Sequence, residues 1–318
     1  AGCCPGRGHG RDHQRFGYPG SDRKTETGGL RLRKEWTVQD LLSWTKSHFE
    51  SLGIAEPRLE AEVLLAYALK LDRLGVYVQH DRPANQAERA SYRDMIKRRA
   101  QGEPTAYITG QREFMSLPFM VDQRVLIPRP DTEVLVEESI RLLRGYKGEV
   151  KALDVGTGSG AIAISIASYV PQAVVCGLDI SEGALEVARA NAKLNGVESR
   201  VFFSLSNLLD TVTGGPFQLI AANLPYISSE EMMDLPREIR DYEPWGALDG
   251  GPGGLTFYKK LLPQALKYLS DPGFLLLEVG DTAQVEELGR YAGDNWSGYY
   301  VLKDLARRDR VLVLKKGN

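Results

Sequence analysis

A chain of 318 residues is too long for one average domain and comfortable for two. Its 42% hydrophobic and 26% charged residues are ordinary for a soluble globular protein, and no apolar run approaches the roughly 18 residues that span a bilayer. The net charge of −2 excludes a basic field over the whole protein of the kind that holds nucleic acid. Three cysteines (Cys3, Cys4 and Cys176) cannot build a disulfide framework, which favours the reducing cytoplasm.

The first 35 residues differ in composition from the rest of the chain. Residues 1–29 contain eight glycines and almost no aliphatic side chains, which is too little apolar surface to offset the entropy lost on ordering. The cysteines and histidines of this stretch do not have the spacing of a standard zinc site, so no metal is expected. We predict that residues 1–35 are a disordered tail.

Residues 36–102 show helical periodicity and no strand pattern. Thr37 can cap a first helix that Gly53 would end, and Pro57 can stand in the first turn of a second helix. A third helical stretch runs from about Glu88 to Arg99. The segment is predicted to be a small helical domain that recognises a protein partner, and a structural cap on the next domain is the alternative.

Residues 103–135 are expected to form a connector between two domains. An apolar run from Phe114 to Phe119 is followed by another from Val125 to Ile127 that Pro128 and Pro130 close, and this succession predicts a hairpin. A helix capped by Asp131 or Thr132 should follow and run to Leu143.

From residue 136 to 318 the pattern changes to alternating strands and helices. Strand-like runs cover residues 150–155, 173–180, 200–205, 217–223, 273–279, 299–302 and 310–314. Helical runs lie at about residues 160–169, 182–194, 254–269 and 282–292. Repeated strand, helix and strand units require a mostly parallel sheet covered on both faces, whereas the last two runs lie too close for a crossover helix and should pair antiparallel. The predicted fold is therefore α/β, with a doubly wound sheet of seven strands after a small helical domain.

A glycine-rich turn stands where the first strand of this sheet meets its first helix, and it reads Asp-Val-Gly-Thr-Gly-Ser-Gly. Glycines allow the backbone to turn sharply and let a ligand lie against it at the start of a helix. The spacing differs from that of dinucleotide-binding turns, and an acid before the first glycine suits the sulfonium and amino groups of S-adenosylmethionine. We predict S-adenosylmethionine as cofactor, bound by Asp154, Gly156, Thr157, Gly158, Ser159 and Gly160.

Residues at the ends of two further strands extend the predicted cofactor site. Asp179 ends the second strand, where an acid accepts the ribose hydroxyls of a bound adenosine; the alternative is a surface carboxylate that caps the next helix. Asn207 and Leu208 follow the third strand, and we expect them at the adenine amino group and at a face of the ring.

The sequence Asn223-Leu224-Pro225-Tyr226 follows the fourth strand directly, on the same edge of the sheet. Amide and exocyclic aromatic nitrogens are poor nucleophiles because their lone pairs are delocalised, so a site that methylates them must hold the planar NH2 group and orient it. The Asn223 side-chain oxygen and the Leu224 carbonyl can accept its two N–H groups. Tyr226 can stack on the planar group, and Pro225 stiffens the turn. Asn223, Pro225 and Tyr226 are the predicted catalytic residues, and an ordinary strand-ending turn is the alternative.

Over residues 36–318 the chain resembles the release-factor glutamine methyltransferases of HemK/PrmC type. The most specific element is Ile127–Glu133, which reads Ile-Pro-Arg-Pro-Asp-Thr-Glu, followed by the glycine turn and the Asn223–Tyr226 motif. Other similar segments are Thr105–Gly110, Glu113–Phe114, Tyr242–Pro244, Ala247–Gly251, Leu277–Gly280 and Asp304–Ala306.

The resemblance implies a helical N-terminal domain, a seven-stranded methyltransferase domain, and methylation of the glutamine amide nitrogen (N5) in the Gly-Gly-Gln motif of peptide-chain release factors. It implies that Gly156–Gly160, Asp179, Leu208 and Asn223 contact the cofactor. The substrate glutamine would be held by Asn223, Leu224, Pro225 and Tyr226, and Phe114 is also expected to contact it. The expected partner is a release factor in the cytoplasm, without nucleic acid or membrane.

Two residues depart from the family pattern. Proline is usual at the position of Leu224, and aspartate is usual at the position of Asn207. The Asn-Leu-Pro-Tyr form also occurs in ribosomal-RNA adenine dimethyltransferases, so N6-adenine methylation of rRNA or DNA is the alternative function. Those enzymes have a different cofactor turn, and their helical domain follows the methyltransferase core. A third possibility, a non-catalytic cofactor-binding protein, would require a damaged site, and none is evident.

Overall fold

A computed structural model of the chain describes residues 35–317. The chain divides into two compact units between Gln101 and Gly102. The expected tail of residues 1–35 lies, except for Glu35, outside the described residues. In the part of the chain that the structure describes, no helix has the length and apolar character needed to cross a membrane.

The first unit consists of helices α1 (Val38–Ser51), α2 (Pro57–Leu69), α3 (Arg73–Val78) and α4 (Gln86–Ala100). Helix α1 begins as predicted at Thr37, whose hydroxyl accepts the Asp40 N–H at 3.1 Å while the Asp40 carboxylate accepts the Thr37 N–H. The three helices expected from periodicity are confirmed. Helix α3 was not predicted, because six residues are too short to display a helical repeat.

The second unit begins with the short helix α5 (Thr105–Thr109) and an antiparallel hairpin of β1 (Gln111–Phe114) and β2 (Leu117–Met120). The predicted hairpin is confirmed, and both residues of its turn have positive φ, as tight hairpin turns require. The connector belongs to the same compact unit as the domain that follows it. The Asn191 side chain accepts from the Met120 N–H at 2.7 Å and donates to the Met120 carbonyl at 2.9 Å. These two hydrogen bonds fix the hairpin to the rest of the second unit.

The remaining strands form one seven-stranded sheet. They are β3 (Val150–Val155), β4 (Ala173–Asp179), β5 (Val201–Leu205), β6 (Phe217–Ala222), β7 (Leu269–Glu278), β8 (Gly298–Lys303) and β9 (Asp309–Lys316). Their order is β5-β4-β3-β6-β7-β9-β8, with β3 to β7 parallel and β9 antiparallel to both of its neighbours. The predicted doubly wound sheet with an antiparallel terminal hairpin is confirmed.

Helices cover both faces of this sheet. They are α6 (Glu133–Leu143), α7 (Ala161–Tyr169), α8 (Glu182–Leu194), α9 (Arg237–Arg240), α10 (Thr256–Tyr268) and α11 (Thr282–Ala292). One apolar core includes Leu135 and Ile164, and the other includes Tyr258, Leu261 and Leu288. Because both faces are covered, the central strands are mostly apolar.

The order of the strands determines where a ligand can bind. From β3 the chain moves outward through β4 to β5 and then returns to place β6 on the other side of β3. Such a reversal leaves a crevice at the carboxyl ends of the strands, where ligands of doubly wound sheets bind. The glycine turn, Asp179 and Asn223 all follow strands that end at this crevice.

Candidate active site

The glycine turn adopts a backbone that only glycine accommodates easily. Gly156, Gly158 and Gly160 have φ of +75°, +54° and +82°. A Cβ atom on Gly156 would lie 2.9 Å from Leu224 Cδ2 and 3.7 Å from the Asn223 carbonyl oxygen. The predicted cofactor turn and the predicted acceptor motif are therefore in direct contact, although many residues separate them in the sequence.

Asp154 is fully buried below this turn and holds it in shape. Its Oδ2 accepts from the Thr157 hydroxyl at 2.6 Å and from the Ala163 N–H at 3.1 Å. Burial raises the pKa of Asp154 to about 7, although these two hydrogen bonds favour the ionised form. Among the described residues its Oδ1 has no hydrogen-bond partner, which leaves a buried acceptor unsatisfied beside the turn.

Asp179 joins the end of β4 to the glycine turn. Its Oδ2 accepts the Gly158 N–H at 2.8 Å, and its Oδ1 accepts the Ser181 N–H at 2.9 Å. Burial raises the pKa of Asp179, opposed by these backbone hydrogen bonds. A carboxylate has about four lone-pair sites, so the two oxygens keep the capacity to accept ribose hydroxyls.

The side chains of the other predicted cofactor residues differ in their exposure to solvent. The side chains of Thr157 and Ser159 are buried, so only their backbone groups can line the turn. Asn207 is exposed after β5. Leu208 has φ of +51° and its side chain packs in the core, which limits the contact expected with the adenine ring.

Asn223 makes one side-chain hydrogen bond among the described residues. Its Nδ2 donates to the Thr132 hydroxyl oxygen at 3.1 Å. Thr132 belongs to the Pro-Arg-Pro-Asp-Thr-Glu segment and is only 4% exposed. With Nδ2 paired in this way, Oδ1 is the atom of the Asn223 amide that can accept an N–H group of a substrate.

The Leu224 backbone is fixed by a buried tyrosine of α10. The Tyr258 hydroxyl accepts the Leu224 N–H at 3.2 Å and lies 3.0 Å from the Leu224 carbonyl oxygen and 2.5 Å from the Glu278 carbonyl oxygen. The hydroxyl has one proton, so it donates fully to only one of these carbonyls. A carbonyl has two lone pairs, so Leu224 can still serve as the predicted second acceptor.

Tyr226 is held from two sides. Its carbonyl accepts from Gln284 Nε2 at 2.8 Å, and a Cβ on Gly254 would lie 2.0 Å from the same oxygen, so only glycine fits there. Its hydroxyl lies 3.5 Å from Glu278 Oε1. Burial and the nearby Glu278 raise the pKa of Tyr226 to about 12, which keeps the phenol neutral.

Glu278, at the end of β7, is the second buried carboxylate of the crevice and is 1% exposed. Burial raises its pKa to about 7, while the Thr132 hydroxyl and the Arg310 guanidinium stabilise the ionised form. Arg310 itself is bound to Asp304 at 3.2 Å and to Asp131 at 3.3 Å. The Asp304 and Pro-Arg-Pro-Asp-Thr-Glu segments are thereby connected to the floor of the site.

The Pro-Arg-Pro-Asp-Thr-Glu segment is anchored at its start by Glu243. The Arg129 guanidinium donates to Glu243 Oε1, and the Ile127 N–H donates to Oε2 at 3.3 Å. Burial raises the pKa of Glu243, and Arg129 opposes the rise. This pair holds the segment so that Thr132 reaches Asn223.

Phe114, which was expected to contact the substrate, does not line the crevice. It is 2% exposed and packs edge to face on Phe119 in the apolar core. The expectation was wrong, because a place in a family-like segment does not reveal whether a side chain points into the core. The buried position indicates that Phe114 stabilises the hairpin.

Sequence reasoning also missed residues that the structure brings to the site, namely Thr132, Tyr258, Glu278 and Gln284. Thr132 and Glu278 lie in segments noted for their family resemblance, but those segments were not assigned to the site. Their position could have been inferred from the fold, because Glu278 ends a strand next to the one that precedes Asn223.

Comparisons with known proteins agree with this geometry. Residues 40–110 match the family described as the PrmC N-terminal domain, and residues 147–290 match a methyltransferase domain family. The release factor glutamine methyltransferase of Geobacter sulfurreducens is 40% identical over 277 residues, covering 87% of this chain and 96% of that protein. The chain belongs to the release factor glutamine methyltransferase family. The protein of the same name from Moorella thermoacetica is 44% identical over 279 residues, covering 87% of this chain and 98% of its own.

A solved structure of the hMettl16 catalytic domain, in complex with an RNA hairpin, has the same fold. It is 15% identical, covers 70% of this chain and 81% of that chain, and has a TM-score of 0.52. At this identity the likeness concerns the fold alone. As a member of the release factor glutamine methyltransferase family, the chain is an enzyme that uses S-adenosylmethionine as its methyl donor.

The residues of the crevice fit this cofactor. Three glycines leave the turn free of side chains, Asp179 offers acceptor capacity beside them, and Asp154 supplies a buried acceptor without a partner. A cationic sulfonium and amino group are complementary to the two carboxylates. No group of three or more metal-ligating side chains occurs among residues 35–317.

Proposed function

We propose that this enzyme transfers a methyl group to the side-chain amide nitrogen of the glutamine in the Gly-Gly-Gln motif of peptide-chain release factors. The observation that carries the proposal is the Asn223 amide, whose Nδ2 is paired with Thr132 beside the glycine turn. That arrangement reserves an acceptor oxygen for the N–H group of a planar substrate. The names of the relatives from Geobacter sulfurreducens and Moorella thermoacetica support the same substrate.

S-Adenosylmethionine, when bound at the glycine turn, supplies an electrophilic methyl group. Asn223 Oδ1 and the Leu224 carbonyl accept the two N–H groups of the glutamine amide and hold its nitrogen in one orientation. These contacts strengthen as the nitrogen leaves planarity, because its N–H groups become more acidic, so they favour the transition state over the ground state. Tyr226 packs on the amide plane, and Pro225 limits movement of the turn.

The proton released from nitrogen does not require a dedicated base, since a methylated amide nitrogen that still carries its extra proton is strongly acidic. The residues therefore need only to position the amide, and the proton passes to solvent water. Tyr226, with its pKa raised to about 12, stays neutral and keeps this part of the crevice without a further negative charge.

The segment after the motif supports a protein substrate over an adenine in RNA or DNA. Glu230, Glu231 and Asp234 are exposed there, and the nearest basic residue, Arg237, is paired with Asp241 at 3.1 Å. Flipping an adenine out of a nucleic acid brings phosphates close to the protein, and exposed acids repel them. A Gly-Gly-Gln loop has no phosphates and can enter as a narrow chain.

We further propose that the first unit, α1 to α4, recognises the release factor. All residues of the cofactor and acceptor sites lie in the second unit, so the helical unit is free for a different role. Its resemblance to the PrmC N-terminal domain supports a role specific to this family.

The proposal is tested by incubating the enzyme with methyl-labelled S-adenosylmethionine and either a release factor or rRNA. We expect the release factor to be labelled, and labelling to stop when its glutamine is replaced by asparagine, whose shorter amide does not reach the methyl group. Asn223→Ala should abolish labelling with at most a small loss of cofactor affinity. Efficient labelling of rRNA without labelling of the release factor would favour the adenine function instead.

A further inference from the structure

The side-chain amide of Gln284 joins two parts of the site. Its Oε1 accepts the Gly280 N–H at 2.9 Å, just beyond the end of β7, and its Nε2 donates to the Tyr226 carbonyl at 2.8 Å. A backbone N–H can only donate and a carbonyl can only accept, so these two partners determine which end of the amide faces each of them. The Gln284 amide therefore has a single orientation, and both of its polar atoms are bonded.

The backbone of Gln284 is held by the first turn of α11, in which it is the third residue. Asp281 caps this helix, and its Oδ1 accepts the Gln284 N–H at 2.8 Å. The residues Val285 and Leu288 of the same helix are buried in the apolar core beside the sheet. The side chain that reaches Tyr226 therefore starts from a fixed point next to the end of β7.

Two glycines leave the space that this bridge occupies. A Cβ atom on Gly280 would lie 3.2 Å from Tyr226 Cδ2 and 3.4 Å from Gln284 Oε1, so the tyrosine ring and the glutamine amide both rest on bare backbone. A Cβ atom on Gly254 would lie 2.7 Å from Gln284 Nε2, which is closer than a side chain can come. The surrounding backbone thus encloses the Gln284 amide and holds it against the Tyr226 carbonyl.

We propose that Gln284 is a positioning residue for methyl transfer, which fixes the Tyr226 backbone through its carbonyl and thereby sets where the tyrosine ring packs on the acceptor amide. This inference rests on the proposed function for the identity of the acceptor and for the role of Tyr226. Without the Nε2 donor, the Tyr226 carbonyl can turn, and the ring that it precedes moves with the backbone. A displacement of about 1 Å in a group that orients the substrate can lower the rate by about a hundredfold.

Two substitutions of similar length separate the two hydrogen bonds of Gln284. Gln284→Glu keeps an acceptor for the Gly280 N–H, but at pH 8 a carboxylate with an ordinary pKa of about 4.3 has no proton to donate to the Tyr226 carbonyl. Gln284→Met loses both hydrogen bonds and introduces no charge. A role in positioning Tyr226 requires both variants to be impaired, whereas a role limited to closing the end of β7 requires only the methionine variant to be impaired.

The chain offers a matched control in Gln218. Its Oε1 likewise accepts a backbone N–H, that of Lys151, at 2.7 Å. Gln218 is the second residue of β6 and lies at the opposite end of this strand from Asn223. Gln218→Glu and Gln218→Met therefore make the same chemical changes away from the crevice.

The experiment measures kcat and KM for labelling of a release factor at pH 8, and cofactor affinity by calorimetry, with melting temperatures to establish that each full-length variant is folded. We expect both Gln284 variants to lower kcat by about tenfold to a hundredfold, with KM and cofactor affinity within about threefold of wild type. Loss in kcat alone indicates a contact that matters in the transition state and not in binding. Both Gln218 variants should retain kcat within about twofold.

Three results would overturn the inference: wild-type kcat in Gln284→Met, wild-type kcat in Gln284→Glu, or an equal loss in the Gln218 variants. If the methionine variant does not fold, the glutamate variant decides, since it keeps the bond to Gly280. Failure of the proposed function is a separate outcome, recognised when the wild-type enzyme does not label the release factor. If the wild type labels rRNA instead, the same comparison is made on that acceptor, since Tyr226 would pack on any planar group there.

Discussion

Asp154 and Asp179, near the ends of their strands, combine a structural task with the cofactor-binding role proposed for them. Asp179 accepts the Gly158 N–H of the glycine turn, whereas Asp154 accepts the Thr157 hydroxyl of the turn and the Ala163 N–H of α7. Burial raises the pKa of both carboxyl groups. Their substitution therefore changes the shape of the turn as well as its charge. Variants that keep the size of the side chain are needed to separate the two effects.

Asp179 offers the clearest case. Asp179→Ala removes the proposed acceptor for the ribose hydroxyls and the anchor of Gly158, and charged hydrogen bonds contribute about 1.5–3 kcal/mol each. We expect at least about tenfold weaker binding of S-adenosylmethionine by calorimetry. Asp179→Asn keeps the size and one acceptor oxygen and should fall between the alanine variant and wild type. An unchanged affinity in the alanine variant would remove Asp179 from the cofactor site.

Glu278 makes stability depend on pH. Its pKa of about 7 in the folded protein exceeds its ordinary value of 4.5, so the folded state binds the proton more tightly than the unfolded state. The stability that protonated Glu278 contributes is fully present below its ordinary pKa of 4.5. It is lost as the pH rises through the folded-state pKa of about 7. Glu278→Gln should therefore gain stability relative to wild type between about pH 5 and about pH 8, measured by urea unfolding. A difference that is constant with pH would contradict the burial argument.

At the scale of elements, helix α1 depends on its first turn. The capping box between Thr37 and Asp40 satisfies two backbone N–H groups that the helix itself leaves without partners. Thr37→Ala should lower the free energy of unfolding by about 1 kcal/mol, measured by urea denaturation. Ser51→Ala at the other end of α1, where the hydroxyl donates to the His48 carbonyl on the surface, is the control and should have a smaller effect.

The central strands and the helices between them were predictable from sequence, because a sheet covered on both faces requires largely apolar strands such as residues 173–178, which read Ala-Val-Val-Cys-Gly-Leu. Helix α3 was not, since six residues do not complete two turns. Helix α5 was not predicted either, because short segments take their conformation from what they pack against.

The candidate site was predictable only in part. Motifs at strand ends could be placed together because parallel strands end on one edge, as for Asn223 and the glycine turn. The pairing of Thr132 with Asn223 depends on a loop that approaches from outside the sheet, and no periodic pattern encodes that approach. The burial of Phe114 likewise depends on tertiary packing against Phe119.

At the scale of the whole molecule, the two compact units permit the two tasks to be separated. A chain beginning at Gly102 keeps every residue of the proposed cofactor and acceptor sites. We expect it to bind S-adenosylmethionine within about twofold of the full chain, while its kcat/KM for an intact release factor falls by at least about tenfold because the recognition surface is lost. A short peptide that contains Gly-Gly-Gln is the control, and both enzymes should methylate it equally. Full activity of the shortened chain on the intact factor would contradict a recognition role for the helical unit.

The Tyr258 hydroxyl, which meets the backbone at the ends of both β6 and β7, has a consequence for local opening. The Leu224 N–H is bonded to a side chain of α10 and not to a neighbouring strand. Its exchange with deuterated solvent therefore requires α10 to separate from the sheet, not merely fraying of the strand. In a native-state exchange experiment, the Leu224 amide thus reports the free energy needed to separate a helix on one face of the sheet from the proposed acceptor motif.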